Sequence, residues 1–242
     1  MTNSIRERSD VNLSVGRVSF SYFGKVKLNQ VYVEDHHQDT LLYARELNTS
    51  LLSLRNLINN TPRLGNTTAD GLKIKMIRYK GEETDNLSII LAKLRKEPTG
   101  EPKPFELFIR DIYVKDGYYT FIDENLEVPV ILEFKDLNLQ AEELKVVDSD
   151  FTVFINTLSA REVSGLEVVH MSTQFSYSPT QMVFQDLILE TPNSYLDANL
   201  ALDYDSFANF TNEVEIVGNF NESKFSTNDL RLFYEPFGEN EN

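Results

Sequence analysis

One pattern of apolar residues recurs along the chain and limits what it can fold into. Apolar residues occupy positions 1, 3, 6 and 8 of an eight-residue window, and polar residues occupy positions 4 and 5. The full pattern occurs in Val26–Val33, Leu107–Val114, Leu132–Leu139 and Met182–Leu189. A fifth window, Phe225–Leu232, departs from it through a threonine at position 3. Chance predicts fewer than about one full match in this length, so the pattern reflects the fold.

The phase of the window indicates a bend within a β-strand. Side chains alternate between the two faces of a flat strand, so positions 3 and 6 would point to opposite faces. One additional residue at positions 4 and 5, a β-bulge, returns positions 6 and 8 to the face of positions 1 and 3. Bulges at equivalent places would curve the sheet. The alternative is that each window contains the end of one strand, a short turn and the start of another.

Most of the chain alternates apolar and polar residues with period two, which predicts strands. The predicted strands are 14–22, 25–34, 40–46, 71–80, 105–114, 117–123, 128–139, 151–158, 164–177, 180–190, 194–204, 213–220 and 225–234. Two short helices are predicted over 50–58 and 86–96, the second beginning after Asp85, a residue type favoured at N-caps. Two helices can cover little of so much sheet. The sheet must therefore close as a barrel or sandwich, curve into a trough or hold an apolar ligand.

Charge is distributed unevenly along the chain. Residues 1–100 contain 15 basic and 11 acidic residues, a balance of +4, whereas residues 101–242 contain 8 and 27, a balance of −19. A proline-rich linker, 97–104, marks the change. We therefore distinguish 1–100, net basic with the helical insertions, from 101–242, strongly acidic, which continues the same elongated domain. The net charge of −15 argues against nucleic acid as a partner, because nucleic-acid binding needs a basic surface.

No group of residues is typical of a catalytic or metal site. Glu34–Asp39, with adjacent histidines, is the most metal-like cluster, but a polar hairpin turn is the better interpretation because neighbouring side chains diverge. Asp123–Glu127 lacks the spacing of a calcium loop and is predicted to be a hairpin tip. His170 has no nucleophile nearby in sequence. We therefore expect no enzyme activity, no cofactor and no metal.

A basic stretch alternates with apolar residues on one predicted strand. It consists of Lys73, Lys75, Arg78 and Lys80. These side chains could contact anionic lipid head groups, but a solvated strand face is the simpler interpretation.

Several segments resemble the N-terminal region of TamB-like proteins, which belong to the AsmA-like, bridge-type lipid transfer proteins of the Gram-negative envelope. They are Val15–Phe20, Val26–Val33, Glu34–Asp35 and Asp39–Tyr43. Leu107–Asp123 resembles the strand–Asp-Gly–strand unit that follows the first helical insertion in that family. The resemblance covers most of residues 11–190 and is carried by pattern rather than by invariant residues. It contains no catalytic motif.

The resemblance implies a mainly β fold: an elongated, strongly curved and twisted antiparallel sheet that forms an open β-trough, with two short helical insertions. It also implies a periplasmic location, an inner-membrane anchor helix, and an Omp85-type outer-membrane barrel protein as partner. The function it implies is conduction of phospholipids between the inner and outer membranes. The chain contains no run of apolar residues long enough to be that anchor, and it is shorter than a full-length member, so we expect it to be a fragment.

The apolar positions of the windows would line the groove of such a trough, and phospholipid acyl chains would slide along them. The predicted groove residues are Leu28, Val31, Val33, Ile109, Ile112, Val114, Phe134, Leu137, Leu139, Phe184, Leu187 and Leu189. An ordinary hydrophobic core is the alternative for the same positions. Two other functions stay open: a scaffold for outer-membrane protein assembly or secretion, and a closed β-sandwich that binds a surface or a sugar.

Overall fold

The computed structural model describes residues 12–21, 24–53, 61–94, 104–127, 130–205 and 214–231. Within these ranges the chain is mainly β, and eleven strands form one sheet that does not close into a barrel. The strands are β1 (Asn12–Phe20), β2 (Lys25–Glu34), β3 (Thr40–Leu51), β4 (Arg63–Arg78), β5 (Glu106–Asp123), β6 (Val130–Val147), β7 (Asp150–Glu162), β8 (Glu167–Ser178), β9 (Gln181–Glu190), β10 (Tyr195–Tyr204) and β11 (Val214–Phe220). Two short helices accompany them, α1 (Asn86–Leu94) and α2 (Thr227–Arg231).

The strands lie side by side in the order of the sequence, with β1 and β11 at the two edges. Every neighbouring pair is antiparallel except β4 and β5, which are parallel. The expectation of a wholly antiparallel sheet is therefore wrong at this pair. The connection over residues 79–105 contains α1, and a connection of that length returns the chain to the starting end of the sheet, as parallel pairing requires.

Several predicted strands have different limits in the structure. β2 has the predicted limits, whereas β4 begins at Arg63 rather than at residue 71. The predicted strands 105–114 and 117–123 are one strand, β5, because Asp116 takes a left-handed backbone conformation with φ of +52° and pairing continues past it. An Asp-Gly pair between two alternating stretches is thus a bend in one strand and not a turn between two.

The last predicted strand, 225–234, is wrong where the structure describes it, because Thr227–Arg231 is helical. The Asp229 carboxylate accepts hydrogen bonds from the Thr191 and Ser194 hydroxyls, each at 2.5 Å. These hydrogen bonds join residues 38 and 35 positions apart and hold the short helix against the turn between β9 and β10. This is also the window that departs from the full apolar pattern, through the threonine Thr227 at position 3.

α1 begins where the sequence predicts and ends at the last described residue of that segment. The Asp85 carboxylate accepts hydrogen bonds from the Ser88 backbone N–H at 2.9 Å and from the Ser88 hydroxyl at 2.7 Å, which caps the helix. The apolar face of α1 places Ile90 against Leu41 of β3. α1 therefore covers the end of the sheet that contains the β2–β3 turn.

The other predicted helix, 50–58, lies mostly outside the described residues, and its first two residues belong to β3. Neither helix in the described ranges is long and apolar enough to cross a bilayer.

Many side chains are buried although the sheet has no second layer among the described residues. Ala198 is fully buried, and Ala141 and Leu187 are 2% and 3% exposed. A sheet can bury one face without a covering layer only if it curves until the side chains of that face cover one another. The core of this protein is therefore the inner side of a curved sheet.

Candidate functional site

Three of the four full windows have a residue with left-handed backbone conformation at position 5. The φ angles are +54° at Gln30, +52° at Asp136 and +49° at Asp186. Strand register shifts by one residue next to Asp136 and next to Asp186, which confirms the predicted bulge in β6 and β9. At Gln30 the register with β1 and β3 continues unchanged, so β2 bends there together with its neighbours.

The bend in β9 brings the apolar positions of its window to one face. Phe184 and Leu189 pack in the same cluster as the buried Leu187, and these are positions 3, 8 and 6. Leu196 and Ala198 of β10 belong to the same cluster. The inference from the phase of the pattern is therefore confirmed in this strand by direct contacts.

The window Leu107–Val114 in β5 differs, because its position 5 has no left-handed conformation. The left-handed residue of β5 is Asp116, which lies level with Gly71 of β4, where φ is +60°. On the other side, register shifts place this bend beside the bend of β6 at Asp136. The bend in β5 thus occurs where its neighbours bend, although the local sequence pattern places it earlier.

An uninterrupted row of apolar side chains crosses the sheet from β1 to β10. Directly paired residues of neighbouring strands point to the same face. Following the pairs from strand to strand gives this apolar row, which consists of Val18, Leu28, Leu47, Ala69, Val114, Leu139, Leu158, Met171, Leu189 and Leu196. Val18 at the edge is 44% exposed, whereas Ala69 and Val114 in the middle are 7% and 8% exposed. Leu196, at the β10 end of the row, is also only 7% exposed. The row is therefore open at the β1 edge and enclosed in the middle and at β10.

Two further rows extend this face along the strands. One lies two residues from the apolar row and consists of Phe20, Val26, Thr49, Thr67, Ile112, Ala141, Ile155 and Thr173. The other lies beyond the bends and consists of Leu13, Val33, Leu42, Ile74, Tyr119 and Phe134. We call the three rows together the apolar face.

The hydroxyls on the apolar face have hydrogen-bond partners. Thr49 and Thr67 bond to each other at 2.8 Å, and the Thr173 hydroxyl donates to the Gln185 carbonyl at 2.8 Å. Polar atoms that are bonded within the protein present no unpaired donor to an apolar neighbour. The three threonines therefore interrupt the apolar character of the face very little.

Aromatic rings lie on this face at β7, β8 and β9. Phe151 stacks on Tyr177 with ring centroids 5.1 Å apart, and Phe175 contacts Phe184 at 4.7 Å. Burial, together with the nearby Asp85 and Asp150 carboxylates, raises the pKa of Tyr177 to about 12. Asp85 lies beside α1, whereas the strand register places Tyr177 at the other end of the sheet. The Asp85 carboxylate nevertheless contributes to the raised pKa of Tyr177, as expected for a curved sheet.

The opposite face carries polar side chains at the positions between the apolar ones. One polar row consists of Asn48, Thr68, Tyr113, Gln140 and Thr157. Two open depressions, of about 520 Å³ and about 600 Å³, are lined mainly by residues of this and neighbouring polar rows. We call this surface the polar face.

The turn between β2 and β3 is the predicted polar hairpin turn. The buried Asp35 carboxylate accepts hydrogen bonds from the backbone N–H groups of His37 and Asp39 at 2.9 and 3.0 Å. It also accepts from the Tyr79 hydroxyl at 2.7 Å and the Asn86 amide at 2.8 Å. Burial raises the pKa of Asp35, but these four hydrogen bonds outweigh burial and lower it. The carboxylate therefore stays ionised and fixes the turn to β4 and α1.

The same turn is brought against Glu82, which follows β4. The Glu82 carboxylate lies 2.9 Å from His36 Nε2 and 2.8 Å from His37 Nε2. Glu82 is 45 residues away from His37 in the sequence, so spacing along the chain gives no signal for this contact. Sequence reasoning missed it for that reason.

The basic stretch on β4 is only partly solvated. Lys73 and Lys80 are exposed, as predicted, but Arg78 is 7% exposed and forms an ion pair with the buried Asp123 of β5. The Arg78 Nε–H donates to Asp123 Oδ1 at 2.8 Å. The prediction of a solvated arginine is therefore wrong, because parallel pairing of β4 with β5 places an acidic residue beside it.

The predicted groove residues lie at these places on the sheet. Leu28, Val114, Leu139 and Leu189 belong to the apolar row, Ile112 to the second row, and Val33 and Phe134 to the third. Four others pair with apolar or glycine partners: Val31 with Val15 and Ala44, Leu137 with Gly117, Phe184 with Leu200, and Leu187 with Ala198. Ile109 pairs with Leu64 and Leu144, and strand register continues unbroken from it to Ile112. Three residues of unbent strand separate the two, so Ile109 lies on the face opposite to Ile112 and not on the apolar face as predicted.

Sequence reasoning missed six of the ten residues of the apolar row, all of them in strands outside the four full windows. These residues include Leu47, Ala69, Leu158, Met171 and Leu196. Their signal lies in strand pairing, since each occupies the position opposite a window residue or its partner. Pairing is not visible in the alternation of one strand.

No protein-family model and no curated protein matches this chain. The resemblance to TamB-like proteins therefore depends on the sequence pattern described above.

Proposed function

We propose that this chain is a lipid-conducting segment of a TamB-like protein of the Gram-negative envelope. In this proposal the apolar face carries phospholipid acyl chains between the inner and outer membranes, while the head groups stay in water. The observation that supports it most is the apolar row, which continues over ten strands. A stripe that continues across ten of the eleven strands suits a path better than a pocket, because a pocket is closed at its ends.

The energetics of the apolar row fit transport along it. Burying an acyl chain gains about 0.8 kcal/mol for each CH₂ group, enough to hold a lipid outside a bilayer. The row contains no charged or hydrogen-bonding side chain, so a chain that moves from one strand to the next meets similar surroundings. The energy along such a path stays nearly level, which favours sliding over tight binding.

The cellular setting of this function comes from the resemblance. In this proposal the protein lies in the periplasm, is anchored in the inner membrane by a helix, and has an Omp85-type barrel protein as its outer-membrane partner. The role is non-enzymatic and needs no cofactor or metal for lipid conduction.

A protein-assembly scaffold is the second candidate, and the edges of the sheet favour it. Phe20 on β1 is 67% exposed, and Ile216 and Val217 on β11 are 62% and 53% exposed. An edge strand with exposed apolar side chains can pair with an extended segment of another protein. In this alternative, outer-membrane strands would add to β1 or β11 during assembly.

Lipid transfer from vesicles tests the first candidate. The purified chain is incubated with vesicles of phosphatidylethanolamine and phosphatidylglycerol that contain a fluorescent phospholipid, and soluble protein-bound fluorescence is measured. Leu139→Asp on the apolar row should reduce the bound lipid by about tenfold, because a carboxylate in that stripe loses its hydration.

The matched control is Gln140→Asp, one residue away on the polar face, which should bind lipid as the unmodified chain does. Circular dichroism checks that both variants keep their strands. Equal lipid binding by the two variants, or none by the unmodified chain, would reject the conduit. Replacement of Val217 by lysine should leave lipid binding unchanged, and loss of binding to outer-membrane strands in that variant would favour the scaffold.

A further inference from the structure

We propose that His36, His37 and Glu82 form a binding site for a divalent transition-metal ion of the zinc type. The proposal is independent of lipid conduction, because the three residues lie on the loops beside α1 and away from the apolar row. Two imidazoles and one carboxylate are a ligand set that zinc accepts in proteins.

The ligand atoms converge on one small volume. The His36 Nε2, His37 Nε2 and Glu82 carboxylate oxygen atoms all lie within 4.8 Å of one another. The Glu82 oxygens lie 2.9 and 3.0 Å from His36 Nε2, and one of them lies 2.8 Å from His37 Nε2. Around a metal with bonds of about 2.1 Å, neighbouring ligand atoms lie roughly 3.0–3.5 Å apart. A small adjustment of the side chains would therefore place all three on one ion.

The adjacent histidines can face the same ion because the turn is tightly folded. Gln38 has a left-handed backbone with φ of +66°, and the Asp35 N–H donates to the Asp39 carbonyl at 2.8 Å. This geometry removes the objection that neighbouring side chains diverge, which applies to an extended strand. The His36 and His37 rings lie side by side, with centroids 4.4 Å apart.

The residues around the three ligands hold them in position. The Tyr79 ring contacts both imidazoles, with centroid distances of 5.6 and 4.0 Å, while its hydroxyl donates to Asp35. The Asn125 amide donates to the Glu82 carbonyl at 3.2 Å, which fixes the loop that carries the carboxylate. Neighbours that orient the ligands contribute to metal affinity.

Hydrogen bonding to Glu82 leaves His36 only half satisfied. Its Nδ1 atom is buried and has no hydrogen-bond partner within the described residues. Glu82 is 27% exposed and His37 is 47% exposed, so an ion could enter from solvent and keep a water ligand. Among the described residues, the Glu82 carboxylate contacts the two imidazoles and no lysine or arginine, so a divalent cation could bind there without displacing a basic side chain.

The charge around the site suits a cation. The Asp35 and Asp39 carboxylates both accept a hydrogen bond from the Tyr79 hydroxyl, which places them next to the imidazoles. A bound ion would connect the β2–β3 turn to the loop after β4. We therefore expect the metal to act as a cross-link at the end of the sheet covered by α1.

Isothermal titration of the full chain with Zn²⁺ tests the proposal. We expect one ion per chain, with affinity reduced about tenfold or more by His37→Ala and by Glu82→Gln. Glu82→Gln keeps a hydrogen-bond acceptor for both imidazoles, so it should fold normally even if Glu82→Ala does not. Co²⁺ provides a second readout, because its visible absorption reports nitrogen and oxygen ligands directly.

His170→Ala is the matched control, since His170 is the remaining histidine and lies on β8 opposite Glu190. It should bind Zn²⁺ and Co²⁺ as the unmodified chain does. Absence of saturable binding, or equal binding by the unmodified chain and Glu82→Gln, would overturn the proposal. The three residues would then be a hydrogen-bonded clamp between two loops.

Discussion

Two rows of side chains, one residue apart on the same strands, differ in almost every property. Ala69, Val114, Leu139 and Leu158 lie on the apolar row, and Thr68, Tyr113, Gln140 and Thr157 lie beside them on the polar face. Val114 is 8% exposed, whereas Tyr113 is 42% exposed. The backbone and its pairing are common to both rows, so the difference in burial comes from the side of the curved sheet that each row faces. A single curved layer can thus have a buried interior and a solvated exterior.

Replacing one residue of each row by aspartate should give the largest contrast. Val114→Asp places a charge without a partner on the enclosed part of the apolar row and should reduce the free energy of unfolding by about 4 kcal/mol. Tyr113→Asp should change it by no more than about 0.5 kcal/mol, because that side chain is already in water. Urea unfolding of the two variants measures this difference. Similar losses would mean that the two faces are not distinct.

Substitutions of two aspartates compare the loss of a buried ion pair with the loss of an exposed one. Asp123→Asn removes the partner of the buried Arg78 and should cost about 3 kcal/mol, because the guanidinium is left without a counter-charge. Asp136→Asn removes the exposed ion pair with Arg161 and should cost at most about 1 kcal/mol. Thermal and urea unfolding measure both. A larger loss for Asp136→Asn would contradict the burial assigned to Arg78.

The lowered pKa of Asp123 determines how the free energy of unfolding depends on pH. Burial raises the pKa of Asp123, but its hydrogen bonds with Arg78 and Asn125 outweigh burial and hold it below the ordinary value of about 3.9. Its contribution to stability is therefore complete above that value and is lost as the pH falls through the lower, folded pKa. The stability difference between the unmodified chain and Asp123→Asn should be constant above about pH 5 and narrow below about pH 4. A difference that narrows on raising the pH would contradict this assignment.

A smaller effect is expected at the bends that keep the apolar positions on one face. Asp186→Ile places a β-branched residue in a left-handed conformation and should cost about 1–2 kcal/mol. Asp111→Ile changes the same position of a window that has no left-handed residue there, and it should be nearly neutral. Asp186→Gly should restore stability, since glycine adopts this conformation readily. Urea unfolding compares the three variants, and equal effects of the two isoleucines would show that the bend in β9 does not need Asp186.

The bends illustrate how much of this fold the sequence predicts. Window phase predicts the bulges at Asp136 and Asp186 correctly, because a bulge is a local event with a local apolar pattern. In β5 it fails by five residues, from Asp111 to Asp116, because the bend must align with those of the neighbouring strands. Pairing between strands therefore overrides a local signal.

Contacts between distant segments were the least predictable. The parallel pairing of β4 with β5 places Arg78 beside Asp123, and the loops beside α1 bring Glu82 to the two histidines. Neither contact produces a periodic pattern in the sequence, because each depends on the length and path of the connection between strands. Most apolar positions of the windows were predictable because their pattern repeats.

Photo-crosslinking tests the central claim most directly, which is that the apolar face holds lipid acyl chains. Benzoylphenylalanine is introduced separately at Ile112, at Phe134 and at Tyr113, which is 42% exposed on the polar face, and each protein is irradiated with phospholipid vesicles. Phospholipid adducts identified by mass spectrometry should form at Ile112 and Phe134 and be about tenfold less abundant at Tyr113, where water is the neighbour. Equal adducts at all three positions, or none at Ile112 and Phe134, would contradict the claim.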